Sequence, residues 1–149
     1  MAVYSHSGQV ITDAQRSIRF YQDVLGFKFW YQSSPSDEQV GKLGSLPLPL
    51  DVQAYFLILD GLVLELIHYS APGATKAFRP RTIDEPGLAH LALLVEDVHA
   101  TAKKAVEYGG QFIEESDLGA ALMIRDPDGQ LIELIDIGFL KTLPPRPTA

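Results

Sequence analysis

The chain has 149 residues, 46% of them hydrophobic and 21% charged, which is ordinary globular material large enough for one domain or two small modules sharing a core. A formal net charge of −7 disfavours a nucleic-acid partner, because phosphate binding draws on clustered Lys and Arg that the sequence lacks. With no cysteine, disulfides and thiolate metal ligands are excluded, leaving imidazole and carboxylate as the strong ligands.

No window approaches the roughly 18 uninterrupted apolar residues of a membrane span, and the N-terminus lacks a basic region followed by an apolar run, so the expectation is a soluble, cytoplasmic chain with no membrane partner.

The first module is expected over residues 1–70. Ser5 to Thr12 reads as a strand, and Asp13 as the N-cap of a helix that turns Ala14, Ile18, Tyr21 and Leu25 to one face and stops at Gly26. A strand follows over Phe27 to Tyr31. Residues 33–50 form an insertion, polar and then rich in Leu and Pro, that reads either as a lid or as a surface excursion with one short helix. Asp60-Gly61 between the apolar runs Gln53 to Leu59 and Leu62 to Tyr69 is a hairpin signature, and the order is β-α-β-β-β.

Residues 71–86, with Pro72, Gly73, Pro80 and Pro86, read as a linker with room for one helical turn, in which Arg79 and Arg81 are either solvated or receive a substrate anion. The second module, 87–138, repeats the first. It has a strand over Leu88 to Val95, a helix from Asp97 to about Tyr108 with Val98, Ala102, Ala105 and Val106 inward, and Gly109-Gly110 as its stop. Strands over Gln111 to Glu115, Ala120 to Arg125 and Gln130 to Ile137 complete it, with Asp126-Pro127-Asp128-Gly129 as a turn. Residues 139–149 are a tail, expected to be unstructured at Pro144 to Pro147, and the whole is expected to be one compact domain.

Chemistry enters through the repeat. His-x6-Asp-x12-Gly occurs at His6, Asp13 and Gly26 and again at His90, Asp97 and Gly110, and each copy is followed by Asp-Gly-x-x-x-Glu-Leu-Ile, placing Glu65 and Glu133 alike. Alternation along a strand groups Val63, Glu65, Ile67 and Tyr69 on one face and Leu64, Leu66 and His68 on the other. Leu131, Glu133 and Ile135 form the equivalent face, and His6 and His90 point the same way. If helices cover one side of each sheet, His6, Glu65, His90 and Glu133 converge on the other. A carboxylate buried in an aliphatic run costs several kcal/mol without a partner; a divalent cation is one such partner, and a solvated face is the other explanation. The coincidence decides for metal, because two of only four histidines fall at matched places, as do both glutamates. His99 reads as a solvated surface histidine, and Phe29, Trp30, Tyr31, Tyr55 and Phe56 as core and sheet packing.

Asp13…Ser17-Ile18-Arg19-Phe20-Tyr21…Val24-Leu25-Gly26-Phe27 and Asp126-Pro127-Asp128-Gly129…Glu133-Leu134 resemble phrases of the vicinal oxygen chelate superfamily, which includes glyoxalase I, methylmalonyl-CoA epimerase, extradiol dioxygenases, fosfomycin-resistance proteins and bleomycin-binding proteins. The resemblance spans about residues 4 to 138. It implies an α+β fold of paired βαβββ modules forming an incomplete barrel around a central cavity, a homodimer, and metal ligands at His6, Glu65, His90 and Glu133. The set is similar to that of bacterial-type glyoxalase I, which implies a lyase or isomerase that stabilises an enediolate or enolate, with Glu133 or Glu65 as base. Ni, Co, Mn, Zn and Mg all suit two imidazoles and two carboxylates. Two positions depart from glyoxalase I: its glutathione-holding basic residue and Asn are matched here by Val10 and Tyr69, so its substrate does not carry over. The alternatives are a drug- or natural-product-binding resistance protein without catalysis, and an Fe(II) extradiol-type dioxygenase, against which Glu65 counts because it fills a position that oxygen chemistry needs open.

Overall fold

The computed structural model describes residues 1–79 and 81–145. The chain divides into two compact units, Met1–Arg79 and Pro80–Ala149. The fold is α+β, and each unit is a βαβββ module built on a mixed four-stranded sheet.

In the first unit β1 (Ser7–Ile11) runs into α1 (Ala14–Arg19), and β2 (Lys28–Ser33), α2 (Asp37–Gly44), β3 (Val52–Leu59) and β4 (Leu62–Tyr69) follow. The sheet order is β1-β4-β3-β2, with β1 and β4 parallel and the other pairs antiparallel. In the second unit β5 (Leu91–Val95), α3 (Val98–Glu107), β6 (Gln111–Ile113), β7 (Ala121–Arg125) and β8 (Leu131–Asp136) give the order β5-β8-β7-β6 with the same directions.

Both helices start as the sequence dictates. Asp13 and Asp97 sit in extended backbone at φ −142°, and the carboxylate of each accepts the amide three residues on, from Arg16 and Ala100, at 2.9 Å. The helices end differently from the spacing pattern. Gly26 and Gly109 are the residues at positive φ, at 78° and 87°, so the counterpart of Gly26 is Gly109 rather than Gly110. The first module therefore carries one extra residue between cap and stop, and it is absorbed by a π-helical stretch, Phe20–Val24, that continues α1. The wider turn buries Ser17, Phe20, Tyr21 and Leu25, while Ala14 and Ile18 are only half-buried, so the inward face is rotated from the expected one.

In α3 the buried stripe is Val98, Ala102 and Ala105. Val106 is 52% exposed and does not face inward as expected. At about 100° per residue it lies roughly 80° round from Val98, beyond the stripe's edge. The core of the first unit is made by Ile11, Phe20, Tyr21, Leu57, Leu64 and Leu66, and that of the second by Leu122, Ile124, Ile132 and Leu134 under α3.

Other boundaries differ from expectation. The strand expected over 111–115 ends at Ile113 and becomes a 3-10 turn, Glu114–Ser116, and another 3-10 stretch, Ile137–Thr142, follows β8 where a tail was expected to begin. Among its described residues the linker holds turns but no helix. Asp60-Gly61 forms the expected two-residue hairpin, both residues at positive φ and Leu59 paired with Leu62. Of the tail expected to be unstructured, Arg146 and Pro147 lie outside the described residues. Among the described residues no helix is long and apolar enough to cross a membrane.

Candidate metal centre

Each glutamate lies on a central strand of its sheet, flanked by a small residue on one side and a large one on the other. Glu65 on β4 is in register with Gly8 of β1 and Phe56 of β3; Glu133 on β8 is in register with Ala92 of β5 and Met123 of β7. His6 and His90 stand two residues before Gly8 and Ala92. They precede β1 and β5 rather than lying within them, yet strand parity keeps their side chains on the glutamate face. His6 Nε2 is 3.1 Å from Glu65 Oε2, and His90 Nε2 is 3.1 Å from Glu133 Oε2. The same two atoms therefore meet at the same distance in both units.

That distance fits a shared cation. Donors held about 2.1 Å from a metal at right angles lie about 3.0 Å apart, so each His–Glu pair has the span of one edge of a coordination polyhedron. The donors are also the right kind for Mn, Ni, Co or Zn. Within each unit no third His, Asp or Glu joins the pair among the described residues.

The pairs differ in their support. The outer nitrogen of His6, Nδ1, meets Ser5 Oγ at 2.9 Å, whereas that of His90 is buried without a hydrogen-bond partner among the described residues. The Glu65 side chain is 18% exposed and that of Glu133 33%.

Around Glu65 the surroundings are aromatic. The Tyr31 ring stacks on Phe56 at 4.3 Å and 7°, Phe56 meets the edge of His6 at 5.6 Å, and Trp30 packs edge-on against Tyr31 at 4.8 Å. A bulge at Trp30 breaks the β2–β3 register between Phe29 and Tyr31. Phe56 is buried as expected of a packing residue, but Phe29, Trp30 and Tyr31 are exposed, Trp30 by 58%, which corrects the expectation that they are core. They lie on β2, the edge strand of its sheet, which pairs with a neighbouring strand on one side only. Tyr69 shares the Glu65 face, and its hydroxyl is pushed above the usual phenol range by burial first and by the Glu65 charge second.

The remaining candidates have other roles. His68 pairs with Ile11 and Gln53 on the face opposite Glu65, as strand parity requires. His99 is not merely solvated, since its Nε2 is 2.9 Å from Asp117 Oδ2 and ties α3 to the loop after β6. Asp117 is held below the usual carboxylate range by the Gly119 amide and then by His99. Arg79 is exposed, whereas Arg81 turns its guanidinium onto carbonyls of its own loop and is thereby committed away from an anion. The insertion contains one short helix, α2, capped by Ser36 and fastened by Asp37, whose carboxylate accepts the amides of Leu50, Asp51 and Val52. Alternation alone missed two features: Ser5 behind His6, and Phe56 as the ring against it. The two-residue Asp60-Gly61 turn was the signal for Phe56, because it forces residue 56 opposite 65.

A family model described as the glyoxalase/bleomycin resistance protein/dioxygenase superfamily matches residues 4–134. A lactoylglutathione lyase of Pseudomonas aeruginosa is 24% identical, covering 89% of this chain and 81% of that one. A probable lactoylglutathione lyase of a Synechocystis species is 29% identical over 88% of this chain and 92% of its own. Among solved structures, a glyoxalase family protein from Bacillus cereus superposes with a TM-score of 0.75 at 17% identity, covering 91% and 94% of the two chains. A fosfomycin resistance protein from Listeria monocytogenes, solved with Mn(II) and sulfate, superposes at 0.61 with 17% identity, covering 91% and 93%.

Proposed function

From the premise that the chain belongs to the glyoxalase/bleomycin resistance protein/dioxygenase superfamily and is distantly related to lactoylglutathione lyases, we propose that it is a metal-dependent lyase or isomerase acting on a small oxygenated substrate. The observation that carries this reading is the matched 3.1 Å His–Glu pair in each unit. His6, Glu65, His90 and Glu133 are the four ligands, and the two carboxylates balance the charge of a divalent cation. A homodimer is part of the proposal.

When bound, the cation supplies Lewis acidity toward a substrate presenting two neighbouring oxygens. The chain's residues do the rest. His6 and His90 would hold the cation through Nε2, which would leave the N–H on Nδ1, and at His6 Ser5 Oγ would accept from it. Glu133 is the base that removes a proton from the carbon beside a carbonyl and returns it to the neighbouring atom. It is the more exposed carboxylate of the two, 33% against 18% for Glu65. Val10 and Tyr69 line the Glu65 face where glyoxalase I presents a basic residue and an amide, so the substrate differs from a glutathione adduct.

Elemental analysis of protein purified without chelator or affinity-tag metal tests the reading. About one divalent ion per chain is expected, lost in both His6→Ala and His90→Ala. No bound metal, and no uptake of added Mn, Ni, Co or Zn, would overturn it.

One observation favours a second reading, a ligand-binding protein without turnover: Tyr31, stacked on Phe56, and Trp30, edge-on to Tyr31, present exposed rings. Retention of metal with no proton exchange on any small hydroxycarbonyl compound would favour it.

A further inference from the structure

We propose that Arg81 is a positioning residue for His90, acting through the segment 85–88 that leads into it. The proposal rests on the reading of His90 as a metal ligand. A ligating histidine is ordinarily oriented by a hydrogen bond at its outer nitrogen. His6 has one with Ser5, but His90 Nδ1 is buried and lacks a partner among the described residues, so its ring is oriented by its contact with Glu133 and by the backbone that carries it.

That backbone is wrapped around a guanidinium. Arg81 Nη2 donates to the carbonyls of Pro86 at 2.9 Å and Glu85 at 3.4 Å, and Nη1 donates to that of Leu88 at 3.3 Å, two residues before His90. Nε lies 3.7 Å from Glu85 Oε2, whose other oxygen accepts the Thr82 amide at 3.1 Å. Gly87 closes the ring at φ 126°, a backbone that L side chains rarely adopt, and a Cβ there would come 3.1 Å from Arg81 Nη2 and press on the guanidinium. The clamp is anchored in turn: Arg125 on β7 donates from Nη2 to the Arg81 carbonyl at 3.1 Å and from Nη1 to Gly129 at 2.9 Å. Gly129 lies in the turn that leads into β8, the strand bearing Glu133. One chain of hydrogen bonds thus joins the approach to His90 with the approach to Glu133. A planar fork of five donors suits several carbonyls at fixed angles, and an ammonium does not.

The test uses the full chain carrying Arg81→Ala, Arg81→Lys or Gly87→Ala, with His90→Ala as reference. Mn(II) affinity is measured by calorimetry, and the imidazole resonances of His6 and His90 by 15N NMR on metal-free protein. Arg81→Ala should weaken Mn(II) binding about tenfold or more and shift the His90 ring signals while those of His6 hold. Arg81→Lys should reproduce most of the loss. Where Arg81→Ala fails to fold by circular dichroism, Arg81→Lys and Gly87→Ala carry the test. Unchanged His90 signals in Arg81→Lys and Gly87→Ala, or Mn(II) affinity within twofold in both while His90→Ala abolishes it, would overturn the proposal. Mn(II) affinity unchanged in His90→Ala would instead defeat the ligand reading, and the NMR comparison would still decide whether Arg81 orients the ring.

Discussion

The two units share a skeleton and differ in what they build around it. Caps, sheet order, the parallel first strand and the His–Glu contact are the same in both, down to the atoms that meet. The row through Glu65 runs Gly8, Glu65, Phe56, Tyr31, whereas the row through Glu133 runs Ala92, Glu133, Met123, Ile113. One His–Glu pair has rings and a hydroxyl behind its histidine. The other has flexible aliphatic side chains and a clamped loop. The shared skeleton thus fixes where the His–Glu pairs stand, and what differs around it decides how each pair is held.

The comparison is tested first through the cores. Leu66→Ala in the first unit and Leu134→Ala in the second truncate equivalent, fully buried side chains on the strands that bear the glutamates. Each should cost about 2–5 kcal/mol in chemical denaturation, and strongly unequal losses would show that the equivalence is only geometric. Next come the ligands: Glu65→Gln and Glu133→Gln should both weaken Mn(II) binding, by similar factors of about tenfold or more, as measured by calorimetry. Only Glu133→Gln should in addition abolish proton exchange when Mn(II) is saturating; the reverse outcome would exchange the roles of the two units.

A smaller effect is expected at the insertion that only the first unit has. The amides of Asp51, Leu50 and Val52, against a weaker opposing effect of burial, hold the Asp37 carboxyl below its usual range. Its contribution is therefore fully present above the unfolded carboxylate value near 4 and lost as pH falls through the lower folded value. Asp37→Asn should lower the melting temperature at pH 7, and the gap to the parent should close as the pH is taken below about 4. A gap independent of pH would mean that the carboxylate does not fasten α2. Smallest of all is Val106→Ala, which should change stability by no more than about 0.5 kcal/mol, whereas Val98→Ala on the same helix should cost clearly more.

Much of this was legible in the sequence because it is periodic or local. Period-2 alternation put Glu65 and His68 on opposite faces, Asp-Gly fixed a hairpin, and Asp before an amphipathic run fixed two caps. The candidate site was legible as four residues at repeated positions, and the structure brings His6 to Glu65 and His90 to Glu133. What spacing could not convey is how an extra residue is absorbed. Asp-x12-Gly looks identical in both modules, yet a π-helical stretch takes up a residue in one and a second glycine in the other. Exposure at Phe29, Trp30 and Tyr31 was hidden for a different reason: apolar alternation looks the same on a central strand and on an edge. The role of Arg81 depends on hydrogen bonds to carbonyls, which no pattern of side chains encodes.

The bulge at Trp30 has a spectroscopic consequence. It is the chain's single tryptophan, half out in water and touching Tyr31. Emission excited at the red edge therefore reports on β2 of the first unit. Anything that settles against Tyr31 registers there at once.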